Sequence, residues 1–304
     1  MVSVSQAFKT AVANGNPQRI VFQFDSGTII SNEDVDVESG VDFHETFCSE
    51  TDLTIGLCPS SELSFNLLND DGHWTNFLFG AFRAYIGVRL SLTANSSASA
   101  KRPTISISGT SMTVNGNGKL ETYELCPLGK FIAPRPAVVQ KVMIDVQAND
   151  QMCLFDADMP SDSALGGISY PVRASTLLRK LCDYVGVTCE SYSFLNNSLT
   201  ISARPDTFNS CSMRDVVSLI AEAAGSIARF NRSGNLELVW FNTTSQTYDE
   251  GNYTSIEPTW YAVPKVNKLT IRNDDSTAEN TIGSGSNAYM IQNNPFLRVD
   301  DSNT

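Results

Sequence analysis

Asn209–Phe241, NSCSMRDVVSLIAEAAGSIARFNRSGNLELVWF, decides the fold class, because it reads as one helix feeding a tight hairpin. Ser212 is a good N-cap: its hydroxyl can accept from the unpaired N–H of Asp215, and Asp215 places negative charge in the first turn. Met213, Val216, Val217, Ile220, Ala221 and Ala224 recur at helical spacing, and Gly225 can supply the left-handed residue that stops the helix. Ile227 to Phe230 and Leu236 to Phe241 are strand-like and are joined by the Gly-containing turn Asn231–Asn235. An earlier unit follows the same logic, with a short amphipathic helix near 175–184 stopped by Gly186.

Upstream, the pattern is of short strands. Ser3 to Ala13 predicts a helix and Arg19 to Phe24 a strand. Ile29 to Ser39 alternates acids with Val35 and Val37, which predicts a half-exposed strand. Ser61 to Leu67 is a strand and Asn69-Asp70-Asp71-Gly72 a turn. Ala84 to Leu92, then Thr104 to Ser108, Ser111 to Val114 and Lys119 to Leu125, continue the run; Gly129 to Ala133 and Val138 to Val146 follow as separate strands. Strands this short at regular spacing argue for a barrel or sandwich. The expected fold is therefore α+β and β-rich: a barrel- or sandwich-like domain over 1–150, then a smaller α+β domain over 151–304 with helices near 175–184 and 213–224 docked on sheets. Asn149 to Gly167 reads as a solvated linker, its Asp156, Asp158 and Asp162 being a less favoured calcium candidate. Thr259 to Val263 and Lys265 to Arg272 read as strands, and Asp274 to Ser286 as a mobile loop.

The 304 residues carry 21 basic and 33 acidic side chains, a net charge of −12. Sequence-independent nucleic-acid binding needs Lys and Arg against phosphates, so DNA and RNA are excluded as bound ligands. Only 18% of residues are charged, and Asn, Ser and Thr fill the surface, which suits faces that meet neighbouring chains. The seven cysteines are scattered and odd in number, without a CxxC pair, and read as reduced core thiols made in a cytosol. His44 and His73 are the two histidines, too few for a zinc site or a Ser/His/Asp constellation near a nucleophile elbow. No catalytic residue, metal or cofactor is expected. No run approaches the roughly 20 apolar residues of a membrane span, so no membrane insertion is expected.

In order, the pieces resemble the hub and tail-tip proteins of tailed bacteriophages, the family of the baseplate hub and of the N-terminal part of the tail-associated protein. Three stretches carry the resemblance. One is Ser31-Asn32-Glu33-Asp34-Val35 through Thr51 to Asn69; the second is Ser210 to Phe241, with Arg214, Ala221, Gly225, Arg229, Arg232 and Gly234 in place; the third is Asn294-Pro295-Phe296. Together they span most of the chain, and their order carries the likeness.

The resemblance implies a virion structural protein and not an enzyme: a homotrimeric ring at the distal tail, assembled in the host cytoplasm. Such a hub closes the tail tube until host entry and lies between the distal tail protein, tube and tape measure proteins and the tip or receptor-binding parts. DNA passes through it without being bound. An obligate ring buries roughly 2,000 Å² or more. Arg214, Arg229 and Arg232 are candidate partners for carboxylates of a neighbouring chain, or else they solvate the helix start and hairpin. Glu33, Asp34, Asp36 and Glu38 are candidate lumen-facing acids that would repel passing DNA, or else an outer surface. The chain ends soon after Asn-Pro-Phe, so returning strands and any lysozyme or peptidase module of longer members are expected to be absent. The alternative reading is a receptor- or glycan-binding module of the tail tip, with Trp240, Trp260 and Tyr261 as stacking candidates, although Trp240 sits in an apolar strand and reads as core.

Overall fold

The computed structural model describes residues 4–36, 38–45, 55–95, 103–134, 142–240, 267–273 and 279–298. The chain divides into two compact units, each built from separated segments. One comprises Met1–Glu45, Ser60–Cys153 and Phe230–Asn235; the other comprises Thr46–Pro59, Leu154–Arg229 and Leu236–Thr304.

The first unit is a barrel. Helix α1 (Gln6–Ala13) is capped by Ser5, whose Oγ accepts from Phe8 N at 3.0 Å. The strands are β1 (Gln18–Phe24), β2 (Ile29–Ser31), β3 (Val41–His44), β4 (Glu62–Leu68), β5 (Ala81–Ala94), β6 (Thr104–Ser108), β7 (Ser111–Gly116), β8 (Lys119–Ile132) and β9 (Met143–Asp150). They form one antiparallel sheet in the order β2-β1-β5-β8-β9-β4-β3. The chain leaving β2 then reaches the far end of that order. Val35 bridges Leu67, Leu68 N donates to Asp34 O at 2.8 Å, and Asp36 N donates to Asn66 O at 2.9 Å. One segment thus borders both ends of the sheet, and the barrel closes, which removes two edges.

The alternation of apolar residues fills its interior. Phe22, Phe65, Phe82 and Phe131 are buried there with Leu63, Leu67, Ile144 and Val146. The rings of Phe22 and Phe65 stack with centroids 4.1 Å apart, and Phe82 meets Phe24 at 4.8 Å and Phe22 edge-on at 5.6 Å. At β8 the sheet forks. Its first half carries β7 and then β6, while Phe131 and Ile132 pair with β9. Ile105 and Ile107 of β6 pack with Met112, Val114, Tyr123, Leu125 and Val21 into a second apolar layer.

Two readings of this half are corrected. Lys119–Ile132 is one strand, where two were expected over Lys119 to Leu125 and Gly129 to Ala133, because β8 passes through Pro127 and Gly129 opposite a register shift at Ala84/Tyr85 of β5. The acidic run is a turn, not a strand. After β2, Asp34 N donates back to Ser31 O at 2.8 Å, and Asp34 is buried with Val35.

The second unit holds β10 (Val172–Arg173) paired with β11 (Thr200–Ile201), helix α2 (Ala174–Val185), helix α3 (Met213–Ala223), strand β13 (Leu236–Val239) and most of its hairpin partner β12 (Ile227–Phe230), whose last residue falls in the first unit. A three-stranded sheet follows, with β14 (Lys268–Arg272) between β15 (Glu279–Gly283) and β16 (Ala288–Gln292). Both helices lie where the apolar spacing put them. Gly186 ends α2 at φ 76°. After Ala224, Gly225 at φ 60° and Ser226 return bonds to the carbonyls of Glu222 and Ala221 at 3.0 and 2.9 Å, a Schellman closure. The Gly/Ser/Asn-rich segment expected as a loop contributes a strand, β15, over its described part. Thr259 to Val263 lies outside the described residues. The expected linker is built structure: a 3-10 turn spans Gln151–Asp156, and Asp162 pairs with Arg204 at 2.5 Å.

Candidate functional site

Helix α3 begins with a complete capping box. Ser212 Oγ accepts from Asp215 N at 3.1 Å, and Asp215 Oδ2 accepts from Ser212 N at 2.8 Å. Arg214 in the same turn is held by Asp156, Nε to Oδ1 at 2.7 Å. Met213, Val216, Val217 and Ile220 bury the inner face, each contributing about 1.5–3 kcal/mol.

Two distant stretches close on the other side of this helix. At Gly56 the backbone runs against it: Ser218 Oγ donates to Gly56 O at 2.6 Å, Gly56 N donates to Ser226 O at 2.8 Å, and Ala228 N donates to Leu57 O at 3.0 Å. Gly56 has φ 85°, and a Cβ there would lie 2.9 Å from Glu222 Cβ and 3.2 Å from Ser218 O. From the far end of the chain comes Asn294, buried, whose Nδ2 donates to Leu219 O at 2.8 Å and to Glu222 Oε2 at 2.9 Å. Its Oδ1 accepts from Phe296 N at 3.0 Å, so the Asn-Pro-Phe turn is tied internally while Phe296 is buried. An aspartate would lose both donors and set a second carboxylate beside Glu222. Segments around residues 56, 220 and 294 thus meet on one helix.

Glu222 is the one acid of this cluster. Burial pushes its carboxyl above the ordinary value of 4.5, and the Asn294 amide offsets part of that. A carboxyl whose pKa rises on folding binds its proton more tightly in the native chain, so stability falls as pH rises from the unfolded value through the raised native one. Glu222→Gln keeps an acceptor for Asn294 and removes the charge. Urea unfolding from pH 4 to 7 is expected to show this part of the decline abolished and stability at pH 7 no lower than in the parent. A large loss at pH 7 would contradict it.

The remaining sequence candidates are scattered. Arg214, Arg229 and Arg232 each meet a carboxylate of their own chain: Asp156, then Glu237 at 2.9 Å, then Glu45 at 2.5 Å, with Arg232 also lying 4.6 Å over the Phe43 ring. Glu33 binds Arg19; burial pushes its carboxyl up, and the bonds from Arg19 and Ser31 outweigh that, leaving it below the usual range. Asp34, 8% exposed, accepts from Ser31 N and braces the turn. Asp36 is held below its usual range chiefly by the Ser39 hydroxyl, and Glu38 is exposed. Trp240 is 46% exposed, against the expectation that it is core; Trp260 and Tyr261 lie outside the described residues.

No family model and no curated protein matches the chain. Among solved structures it is similar to the crystal structure of the prophage MuSo2 43 kDa tail protein from Shewanella oneidensis, with a TM-score of 0.44 and 11% identity over 90% of this chain and 72% of that one.

What the sequence did not single out is the outward face of β3, β4 and β9. Cross-strand register sets Asp42 beside Ser64 and Gln147, and His44 beside Glu62 and Asn149. These residues line an open groove of about 260 Å³. β4 is paired on both sides, so its amides are committed to the ladder and are not free to stabilise an oxyanion. Among the described residues no group of three His, Cys, Asp or Glu is placed to hold a metal, and no helix is long and apolar enough to cross a membrane. Only the period-2 pattern hinted at this face, since register becomes visible once partners are known.

Proposed function

We propose that this chain is a structural, non-enzymatic component of a bacteriophage tail tip or baseplate. It would act as a hub, trimeric by the family resemblance, that connects and closes the tail tube and lets DNA pass unbound. The observation that carries this reading is the meeting of the segments around Gly56, Ile220 and Asn294 on α3. Parts of the stretches on which the resemblance rests, namely Gly56, the 210–241 segment and Asn294-Pro295-Phe296, meet there. Its neighbours would be the distal tail protein, the tube and tape measure proteins and the receptor-binding parts, in the distal tail of a particle assembled in the host cytoplasm.

One surface open to a neighbouring chain is a free strand edge. Among the described residues β6 pairs with β7 alone, and its sequence, Thr104-Ile105-Ser106-Ile107-Ser108, carries no charge or proline to block pairing with another strand. With Asp34 buried and Glu33 committed to Arg19, the acidic wall would be Asp36 and Glu38 joined by the exposed Asp42, Glu62 and Asp145. Their field would keep DNA from adhering, more weakly as salt rises.

Negative-stain images of the purified protein are expected to show small rings with a central hole. Ser106→Lys places a charge on the open edge and is expected to disperse them to single chains with an unchanged far-UV spectrum. Single chains in the parent, with turnover of a cell-wall substrate, would overturn the proposal.

A further inference from the structure

The chain holds three Asn-Gly pairs, and the fold holds them differently. Asn14 ends α1, and the amide after it is committed: Gly15 N donates to Val12 O at 2.9 Å. Asn115-Gly116 lies inside β7, with Asn115 opposite Thr104 of β6 and Leu120 of β8, and Gly116 opposite Lys119. The Asn115 side chain is tied as well, its Oδ1 accepting from Asn95 Nδ2 at 2.9 Å. Asn117-Gly118 is the two-residue loop that joins β7 to β8. Both residues are left-handed, at φ 51° and 72°, which makes the loop a type I′ turn closed by the Gly116–Lys119 pair. Asn117 is exposed, and the peptide joining it to Gly118 lies outside the ladder.

We propose that Asn117 is a self-modification site, converted through a cyclic imide to isoaspartate and aspartate. The Gly118 backbone nitrogen, having given up its proton, attacks Asn117 Cγ. The Cγ–Nδ2 bond then breaks, and the amide nitrogen takes up a proton and leaves as ammonia. Water opens the ring at either carbonyl, so one amide and one water become one carboxylic acid and one ammonia. Ring closure needs the Gly118 nitrogen brought round beside the Asn117 side chain, the arrangement of the first residue of a type II′ turn, with φ about 60° and ψ about −120°. Turning over the Asn117–Gly118 peptide converts type I′ into type II′ and breaks no ladder bond, because the Gly116–Lys119 pair stays closed. At Asn14 the same rotation breaks the bond to Val12 O, and at Asn115 it breaks the ladder of β7. Isoaspartate carries the main chain through the former side chain. It thereby adds a carbon to a two-residue loop and unmakes the turn that sets the β7–β8 register. The proposal is independent of the tail assignment.

The test is to hold the folded chain in mildly alkaline buffer, digest samples with trypsin over time, and follow the peptides by mass spectrometry with fragmentation that separates isoaspartate from aspartate. The peptide spanning 102–119 carries Asn115 and Asn117, and that spanning 10–19 carries Asn14. Asn117 is expected to convert several-fold faster than either of the others, with isoaspartate in excess, and faster as pH rises. In urea the three pairs are expected to converge on one rate, since neither ladder nor helix end then restrains Asn115 and Asn14. Asn117→Gly, which suits the left-handed position, is expected to leave the 102–119 peptide of the folded chain unconverted. Equal, slow conversion of Asn115 and Asn117 in the folded chain, or conversion of Asn14 ahead of Asn117, would overturn it.

Discussion

Gly56→Ala lowers the stability of the second unit by about 2–5 kcal/mol, the sum of two costs. A side chain at φ 85° costs about 1–2 kcal/mol. Forcing a methyl to 2.9 Å from Glu222 Cβ and 3.2 Å from the Ser218 carbonyl adds the roughly 1–3 kcal/mol of an overpacked site. The second obstacle is helix backbone, so relief requires the 55–57 segment to lift and to strain its bonds to Ser218, Ser226 and Ala228. Against a typical domain stability of about 5–15 kcal/mol, that is a large fraction. Denaturant unfolding monitored by proteolysis is expected to show cleavage within 154–229 well before cleavage in the barrel. Unchanged midpoints would mean that the 55–57 turn does not lie against α3.

Phe82→Ala is expected to cost the barrel about 3–5 kcal/mol. The ring is fully buried and touches four others, those of Phe22, Phe24, Phe65 and Phe131, with centroids 4.8–6.2 Å away. Removing it empties the centre of a closed barrel whose strands cannot collapse inward without breaking ladder bonds. Leu78, 81% exposed, serves as the contrast: Leu78→Ala stays within about 0.5 kcal/mol. Equal losses at the two positions would contradict the placement of the core.

Much of this was legible in the sequence, for identifiable reasons. The helices at 174–185 and 213–223 were readable because caps and apolar spacing are local properties, and Ser212, Asp215 and Gly225 each play the role their chemistry implied. The barrel strands were readable from alternation. Their joins were not. Whether Lys119 to Ala133 is one strand or two depends on β5 running opposite, and whether 29–39 is strand or turn depends on Asp34 finding Ser31 and Leu68. The scattered arginines could not be assigned, because Glu45 lies 187 positions from Arg232. Asn294 likewise reads as a polar loop residue until α3 is set beneath it. Its chemistry, two donors and one acceptor on a short stem, becomes informative once Leu219 O and Glu222 are in reach.

Amide hydrogen exchange on Asn294→Ala probes that convergence most directly. If Asn294 clamps a single cooperative cluster, losing its bonds to Leu219 and Glu222 leaves a carbonyl without its donor, at a cost of about 1–3 kcal/mol. The amides of Gly56, Ala224 and Ala228 would then lose protection together. Faster exchange confined to 293–297, with Gly56 and Ala228 unchanged, would contradict the account.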